Sequence, residues 1–243
     1  MADQKVWIVT GASRGIGRAI AEQALAAGDR VAIFARSDSI EDLARELGDA
    51  CLACRTDVCD TASVQASVDR VIAHWGRIDV LVNNAGLHRG GRIGRISAED
   101  WDAVLATNLK GAVNVIRAAD PHLQSGAAIL NVGAVVGFRG FPGDSAYAAS
   151  KAGLSGLTRA LAIEYAARDI RVNLVIPGLV LTEMTGGLSE KALEGMRKTI
   201  PLGRYGRAEE VAEVAFWVAN STYMTGAFIP ADGGLMSSFG VPG

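Results

Sequence analysis

Short runs of β-branched and other apolar residues alternate along the chain with longer alanine-rich segments whose apolar residues recur every three or four positions. The first pattern is typical of buried strands, and the second of helices that cover one face of a sheet. The strands are predicted at residues 5–10, 30–35, 50–58, 78–86, 127–133, 170–178 and 227–234. The helices are predicted at residues 18–28, 39–47, 61–76, 98–119, from about 144 onward, and 208–220. This alternation predicts parallel strands joined by crossover helices.

The strands are almost continuously valine, isoleucine and leucine, which indicates a sheet covered by helices on both faces. No composition break, low-complexity tract or internal repeat divides the chain, so we expect one domain over residues 1–243. The least regular stretch, residues 182–201, is a candidate substrate lid, with Gly186 and Gly187 as possible hinge points.

Charge and composition narrow the classes of function. The 24 lysines and arginines nearly balance the 26 aspartates and glutamates, so no basic stripe indicates nucleic acid as a partner. No stretch approaches the length needed to cross a bilayer, and the N-terminal apolar run is too short for a signal peptide. We therefore expect a cytoplasmic protein without a membrane partner.

The cysteines and histidines do not predict a metal site. Zinc requires four ligands, and the spacing of these residues offers no such set. The thiols are instead expected to be buried and reduced. The residues concerned are Cys51, Cys54, Cys59, His74, His88 and His122.

A glycine-rich turn, VTGASRGIGRAI, joins the first predicted strand to the first helix and contains Gly11, Gly15 and Gly17. Glycine at such positions permits a tight turn and the close approach of a pyrophosphate to N–H groups at the helix N-terminus. The alternative is a plain glycine-rich loop. The position between a strand and a helix at the start of a βαβ unit favours dinucleotide binding.

The end of the second strand bears on which dinucleotide is bound. Sites for NAD place an acidic residue there, but this strand ends in Ala35 followed by Arg36. Arg36 and Arg14 could both pair with a ribose 2′-phosphate, so NADP(H) is the predicted cofactor. The alternative is that both arginines are solvated surface groups.

Tyr147 and Lys151 lie four residues apart and therefore share one face of a helix. A phenol has an ordinary pKa near about 10, and an adjacent ammonium is expected to lower the pKa of Tyr147 into a range useful for proton exchange. An ordinary helix face with a solvated lysine would show the same spacing. The preceding glycine turn and the NNAG motif at 83–86 favour the catalytic interpretation.

Five motifs occur in order along the chain: TGASRGIG, NNAG at 83–86, Asn108, YAASK at 147–151 and PGLVLT at 177–182. In this arrangement the chain resembles the classical short-chain dehydrogenase/reductase family over essentially its whole length, with the character of its 3-oxoacyl-carrier-protein-reductase-like members. The resemblance implies an α/β fold with a Rossmann-type, doubly wound sheet of seven parallel strands in a single domain. It also implies a homotetramer.

The same resemblance implies roles for individual residues. Tyr147 is the general acid or base, Lys151 also binds the nicotinamide ribose, and Asn108 supports a water that relays protons through Lys151. For Asn108 the alternative is a satisfied polar group within a helix. With Asn83 implied as part of the wall beside the adenosine ribose, the predicted cofactor-binding set is Gly11, Ser13, Arg14, Gly15, Ile16, Gly17, Arg36, Asp57, Val58, Asn84, Ala85, Gly86, Tyr147, Lys151, Pro177, Gly178 and Thr182.

One position departs from the family pattern. The resemblance implies a serine thirteen residues before the tyrosine, to hydrogen-bond the substrate oxygen, but Ala134 stands there and Ser145 lies on the wrong side of the loop to replace it. Loss of one such donor lowers the rate by about 10²- to 10³-fold and leaves cofactor binding intact. A deliberate substitution, another donor, or loss of catalysis would each explain Ala134, and the presence of Tyr147, Lys151 and Asn108 favours the first two.

The residues that flank the expected pocket predict a mostly apolar small-molecule carbonyl or secondary alcohol, although core packing explains any one of them. Three arginines near the cleft could contact an anionic group of the substrate, or be solvated. The leading prediction is an NADP(H)-dependent oxidoreductase, and the alternative is a nucleotide-binding sensor without turnover. The residues are Phe138, Phe141, Leu179, Leu181 and Met184, and the arginines Arg89, Arg92 and Arg139.

Overall fold

Seven parallel strands form one sheet in a computed structural model that describes residues 4–181 and 189–238. The strands are β1 (Val6–Thr10), β2 (Arg30–Ala35), β3 (Cys51–Arg55), β4 (Ile78–Asn83), β5 (Leu123–Val132), β6 (Arg171–Pro177) and β7 (Phe228–Ala231). Their order across the sheet is β3-β2-β1-β4-β5-β6-β7. The predicted doubly wound, seven-stranded parallel sheet is confirmed.

Eight α-helices connect the strands within the described ranges: α1 (Gly15–Ala26), α2 (Ile40–Leu47), α3 (Thr61–Trp75), α4 (Ala98–Leu105), α5 (Gly111–Ala119), α6 (Ser145–Glu164), α7 (Glu190–Arg197) and α8 (Ala208–Asn220). A π-helical turn at Ala106–Lys110 joins α4 to α5. Short 3₁₀ turns occupy Asp120–His122, Val135–Gly137 and Ala166–Arg168.

Both faces of the sheet are buried. In β1, Val6 and Ile8 belong to the core under α3 and α5, whereas Trp7 and Val9 belong to the core under α1 and α8. Successive residues of a strand point to opposite faces, so a continuous apolar run fills both cores at once. This is the physical reason that the strands lack alternating polar residues.

The order of the strands reverses beside β1, which lies between β2 and β4. The connection from β1 leads to β2 on one side, whereas β4 pairs with β1 on the other side. The loops after β1 and β4 therefore diverge and leave a crevice at the carboxyl ends of these two strands. The glycine turn follows β1 and the NNAG motif begins at the end of β4. The topology therefore places both motifs at this crevice.

Several predicted boundaries require correction. The helix predicted at residues 98–119 is interrupted by the π-helical turn, and strand three ends at Arg55 rather than residue 58. Helix α7 lies within the stretch predicted as a lid, 182–201. The lid residues 182–188, which include Gly186 and Gly187, lie outside the described residues.

The cysteines differ in burial. Cys54 is buried, Cys51 is half-buried, and burial raises the pKa of each thiol to about 11. Cys59 is exposed, so the prediction of buried thiols is wrong for this residue, because it lies in the turn after β3 rather than in the strand. Across 4–181 and 189–238, no cluster of potential ligands is suited to a metal ion, and none of the helices has the length and apolarity to span a membrane.

Gly156, on the exposed side of α6, tests the packing of this helix. A methyl group there would contact nothing within 4 Å, so Gly156→Ala should stabilise the protein by about 0.5–1 kcal/mol through helix propensity. Thermal unfolding should show a rise in Tm of roughly 1–4 °C. At Gly153 the new methyl would approach Leu109 Cδ2 to 2.8 Å, so Gly153→Ala should give no such gain. Equal stabilisation by both changes would contradict this packing.

Candidate active site

The turn between β1 and α1 leaves the start of α1 open to an anion. Gly11 adopts a left-handed backbone with φ 65°, and Arg14 is the extended residue before the helix. Arg14 makes no side-chain cap hydrogen bond, and the first turn of α1 contains no acidic residue. The first N–H groups of a helix attract negative charge, so a pyrophosphate fits this end of α1.

Thr10 fixes the glycine turn against the loop after β4. Its Oγ1 accepts hydrogen bonds from the backbone N–H groups of Asn84 and Ala85, each at 3.0 Å. Asn84 Nδ2 in turn donates to the carbonyls of Thr10 and Gly11, at 3.0 and 3.1 Å. Asn84, predicted to bind the cofactor, therefore braces the turn, and Thr10 is a positioning residue that the sequence analysis missed.

Glycine is required at position 17 because the helix begins in close contact with Asn84 and Gly11. A Cβ at this position would lie 2.4 Å from Asn84 Nδ2 and 2.5 Å from the carbonyl oxygen of Gly11. Such distances are far below van der Waals contact, so only glycine allows α1 to begin beside the loop after β4.

The remaining predicted cofactor contacts lie on loops at the carboxyl edge of the sheet. Asp57 Oδ1 accepts a hydrogen bond from Cys59 N at 2.9 Å, and the side chain of Val58 is buried against Gly111. Gly178 follows β6 and donates its N–H to Ala231 O at 3.0 Å. Ser13 and Ile16 lie in the turn and the first turn of α1, Pro177 ends β6, and Thr182 lies outside the described residues.

Arg36 and Arg14 are exposed beyond the ends of the neighbouring strands β2 and β1. Ala35 ends β2 and is buried. Asp38 is the first acidic residue after β2, and it forms an ion pair with Arg55 at 2.9 Å. This edge of the crevice therefore presents two guanidinium groups, and the first carboxylate after β2 is paired with Arg55.

Lys151 is a buried cation on α6, only 4% exposed. Its Nζ donates to Val132 O at the end of β5, at 2.8 Å, and lies 5.7 Å from the centroid of the Tyr147 ring. A Cβ at Gly86 would lie 3.7 Å from this Nζ and 3.6 Å from Asn108 Oδ1. Burial lowers the pKa of Lys151 to about 8.

Tyr147 does not have the acidified phenol that its spacing from Lys151 predicts. Burial, with a smaller contribution from the charge of Asp144, raises the pKa of Tyr147 to about 12. The hydrogen bond of Lys151 goes to Val132 O, so desolvation of the phenolate dominates. The expected lowering of this pKa is therefore wrong for the protein without ligands.

Asn108 lies in the π-helical turn, where its side chain is fully engaged. Oδ1 accepts from Leu87 N at 2.7 Å, and Nδ2 donates to Leu87 O at 3.0 Å and to Ser150 Oγ at 2.9 Å. Ser150 Oγ donates to Tyr147 O at 2.7 Å. The side chain thus holds the loop after β4 against α6, and its role in a water relay stays a prediction.

Ala134 follows β5 with an extended backbone, φ −164° and ψ 153°, and begins the 3₁₀ turn Val135–Gly137. This turn packs closely on α6, because a Cβ at Gly137 would lie 2.9 Å from Ala152 N. The hydroxyl of Ser145 is buried and finds no hydrogen-bond partner in the described ranges. No hydrogen bond of the Ser145 hydroxyl in these ranges therefore links it to the tyrosine.

A histidine–aspartate pair that the sequence analysis did not connect with catalysis lies beside Tyr147. His88 Nε2 and Asp144 Oδ1 are 2.9 Å apart, and the imidazole contacts the Tyr147 ring edge-to-face at 5.1 Å between centroids. His88 comes two residues after the NNAG motif and Asp144 three residues before the tyrosine. Those positions next to two motifs are the only signal in the sequence.

The residues predicted to flank the pocket are exposed to different extents. Phe141 is 50% exposed and Leu181 is 54% exposed, and Phe138, 37% exposed, packs edge-to-face on Phe228 at 5.7 Å. Met184 lies outside the described residues.

The arginines expected near the cleft differ in their engagement. Arg139 donates to Leu235 O, and Arg89 lies 3.5 Å from Asp100. Arg92 is exposed. Leu179 is half-buried after β6. Two of the three arginines therefore have protein partners.

The chain is similar to proteins of known activity. A family model described as Enoyl-(Acyl carrier protein) reductase matches residues 11–236. The 3-oxoacyl-(acyl-carrier-protein) reductase FabG of Thermotoga maritima is 44% identical over 242 residues, covering 96% of this chain and 98% of that protein. The human 3-oxoacyl-(acyl-carrier-protein) reductase is 44% identical over 234 residues, covering 95% and 98%.

Two solved structures are also similar to the chain over nearly its whole length. A double mutant of a Serratia marcescens short-chain dehydrogenase/reductase superimposes with a TM-score of 0.90 at 36% identity, over 96% of this chain and 98% of that one. A blue fluorescent protein from a metagenomic library, in complex with NADPH, superimposes with a TM-score of 0.90 at 35% identity, over 95% and 97%.

Thr10→Val tests the brace of the glycine turn. The change keeps the shape of the side chain but leaves the N–H groups of Asn84 and Ala85 without their acceptor, at a cost of about 1–3 kcal/mol for each group that water does not reach. We expect a lower Tm and weaker binding of NADPH, measured by fluorescence titration. Thr10→Ser keeps the hydroxyl and should restore most of both. Identical behaviour of the two variants would show that the hydroxyl does not position the turn.

Proposed function

Because the chain belongs to the short-chain dehydrogenase/reductase family, we propose that it is an NADP(H)-dependent oxidoreductase that transfers hydride between nicotinamide and a carbonyl or secondary alcohol. The names of its relatives support 3-oxoacyl thioesters as the substrate class. The observation that carries the proposal is the buried Lys151 one helical turn after Tyr147, at the carboxyl edge of the sheet.

A buried ammonium is costly unless its donors are satisfied. Lys151 has three N–H donors and a hydrogen bond to one described acceptor, Val132 O. The space beside Gly86 lies within contact distance of its Nζ and of Asn108 Oδ1. Hydroxyl groups of a nicotinamide ribose would provide the missing acceptors there, and the open start of α1 would hold the pyrophosphate.

NADPH, when bound, supplies the hydride that adds to the carbonyl carbon. The electron pair of the carbonyl π bond moves onto oxygen, and Tyr147 gives that oxygen its hydroxyl proton. A pKa of about 12 keeps the Tyr147 phenol protonated at neutral pH, which suits this reduction. The ammonium of Lys151 stabilises the phenolate until solvent returns the proton.

Arg14 and Arg36 favour the phosphorylated cofactor. A ribose 2′-phosphate carries negative charge that guanidinium groups pair well with, and Ala35 offers no carboxylate to oppose it. The NADPH complex of the metagenomic blue fluorescent protein supports the same cofactor.

The alanine at position 134 lowers the rate without removing the reaction. Tyr147 still provides the proton, but the serine hydroxyl that would stabilise charge on the substrate oxygen is absent from this place. The rival function, a nucleotide-binding sensor without turnover, is favoured by Ala134 alone. A panel of ketones and acetoacetyl-coenzyme A, assayed by NADPH oxidation, separates the two.

We also propose that the protein is a homotetramer located in the cytoplasm. Trp217 on α8 and Tyr223 after it are large apolar side chains with 56% and 104% exposure, which supports a contact between subunits. Sedimentation of the purified protein would measure the assembly.

Tyr147→Phe should abolish turnover. Removal of the proton donor is expected to lower kcat by more than about 10²-fold, because the substrate oxygen then loses the phenol that protonates it. NADPH binding should change little, since the ring and its packing remain. Loss of binding together with turnover would assign Tyr147 a structural role.

Ala134→Ser should raise the rate of carbonyl reduction roughly ten- to a hundredfold, because the serine hydroxyl restores a donor to the substrate oxygen. Ala134→Gly, which adds no hydroxyl, is the matched control and should give no gain. An unchanged rate in the serine variant would show that the missing donor is not at this position.

Arg36→Ala should weaken NADPH binding and leave NADH binding nearly unchanged. Loss of a charge-assisted hydrogen bond to phosphate corresponds to about 1.5–3 kcal/mol, or roughly ten- to 150-fold in Kd. Arg45→Ala removes an exposed arginine on α2 that pairs with Asp42, and it controls for net charge. A parallel loss of both cofactors, or no loss, would contradict the assignment.

A further inference from the structure

His88 and Asp144 form a polar pair that the proposed mechanism does not use. The imidazole is 36% exposed and the carboxylate 18% exposed, with Nε2 and Oδ1 2.9 Å apart. Asp144 is the residue before α6, where aspartate commonly caps the helix, yet its side chain makes no cap hydrogen bond. The carboxylate is directed to the histidine instead.

The backbone holds this pair in place. Gly91 N donates to Gly143 O at 2.7 Å, and Gly91 and Asp144 form a parallel bridge between the loop after β4 and the loop before α6. A Cβ at Gly90 would lie 3.3 Å from His88 Cε1 and 3.9 Å from Asp144 Oδ1, so the loop wraps closely over the pair. The pair is thus held beside Tyr147.

The other ring nitrogen, Nδ1, makes no hydrogen bond within residues 4–181 and 189–238. The ring that carries it stands edge-to-face against Tyr147, 81° between planes. Since Nε2 faces a carboxylate, it carries a proton in both charge states of the ring, and Nδ1 becomes a donor only in the imidazolium. A protonated His88 therefore offers a second N–H on a ring that contacts the Tyr147 ring.

We propose that His88, oriented by Asp144, donates a hydrogen bond from Nδ1 to the substrate oxygen and so supplies part of the stabilisation that Ala134 lacks. This role rests on the proposed reductase function and adds no covalent step. Tyr147 still gives the proton, and His88 remains protonated throughout. Protonation of His88 also neutralises the Asp144 charge, which by itself opposes a phenolate at Tyr147.

The charges around the imidazole favour its protonated form. The hydrogen bond and charge of Asp144 raise the pKa of His88 above its ordinary 6.5, although burial opposes this. Asp144, which precedes α6, and Tyr147 and Lys151 of α6 lie in this region, and from the loop after β4 Arg89 is paired with Asp100 of α4. Because the donor is the imidazolium, kcat/KM at saturating NADPH should fall as pH rises through the raised pKa.

A double-mutant cycle tests the role by NADPH oxidation with acetoacetyl-coenzyme A. His88→Phe keeps a ring against Tyr147 but has no donor, and it should lower kcat by roughly tenfold. Ala134→Ser should then raise the rate about tenfold more on the His88→Phe background than on the native one, because the two donors serve the same oxygen. His88→Phe should also lose the descending limb that follows the His88 pKa, whereas a limb from Lys151, whose pKa is about 8, should remain.

An NMR titration gives a readout that needs neither substrate nor cofactor. The chain has three histidines, so single substitutions identify the imidazole signals of His88. Its pKa should lie above 6.5 in the native protein and fall in Asp144→Asn, which keeps the size of the side chain.

The outcomes separate the two proposals. Native turnover with an equal gain from Ala134→Ser on both backgrounds, or an unchanged pH profile in His88→Phe, would overturn the role of His88 and leave the reductase function standing. Absence of turnover in the native chain and in Ala134→Ser alike would overturn the reductase function and with it the role of His88. An unchanged His88 pKa in Asp144→Asn would overturn the proposal that Asp144 orients the imidazole.

Discussion

A lysine ammonium buried at the carboxyl edge of the sheet is the constraint on which the site depends. At the end of β5, Val132 O accepts a hydrogen bond from the Lys151 ammonium and so offsets part of the cost of its burial. That contact ties α6 to the strand and sets where Tyr147 lies. Burial of this part of the site lowers the pKa of Lys151 and raises the pKa of Tyr147. One feature of the fold therefore sets the protonation of both groups.

Two polar networks hold the loops around Lys151 and Tyr147 in position. Thr10 and Asn84 link the glycine turn to the loop after β4, and Asn108 with Ser150 links that loop to α6. Each bond joins residues far apart in the sequence, and those between Thr10 and Asn84 cross the crevice where the strand order reverses. The glycine turn and the proposed proton donor are therefore parts of one connected frame.

The sequence predicts what depends on local pattern. Apolar runs and the turn at Gly11 and Gly17 follow from residue type and spacing, so the sheet and its crevice could be predicted. Burial and long-range pairing could not. The spacing of Tyr147 and Lys151 suggested a lowered phenol pKa, but it does not reveal that Val132 O takes the ammonium. His88 and Asp144 lie 56 positions apart, and the bridge between Gly91 and Asp144 joins the loops that carry them.

Ala134 leaves the proposed site with Tyr147 as its proton donor but without the serine hydroxyl that the family resemblance implies for the substrate oxygen. We propose that Tyr147 and the buried Lys151 face a carbonyl presented to a nicotinamide. A crystal structure with NADP⁺ and an unreactive ketone would locate these groups. We expect the Tyr147 hydroxyl within about 3 Å of the ketone oxygen and Lys151 Nζ on the ribose hydroxyls. A Tyr147 hydroxyl directed into solvent, away from the nicotinamide, would contradict it.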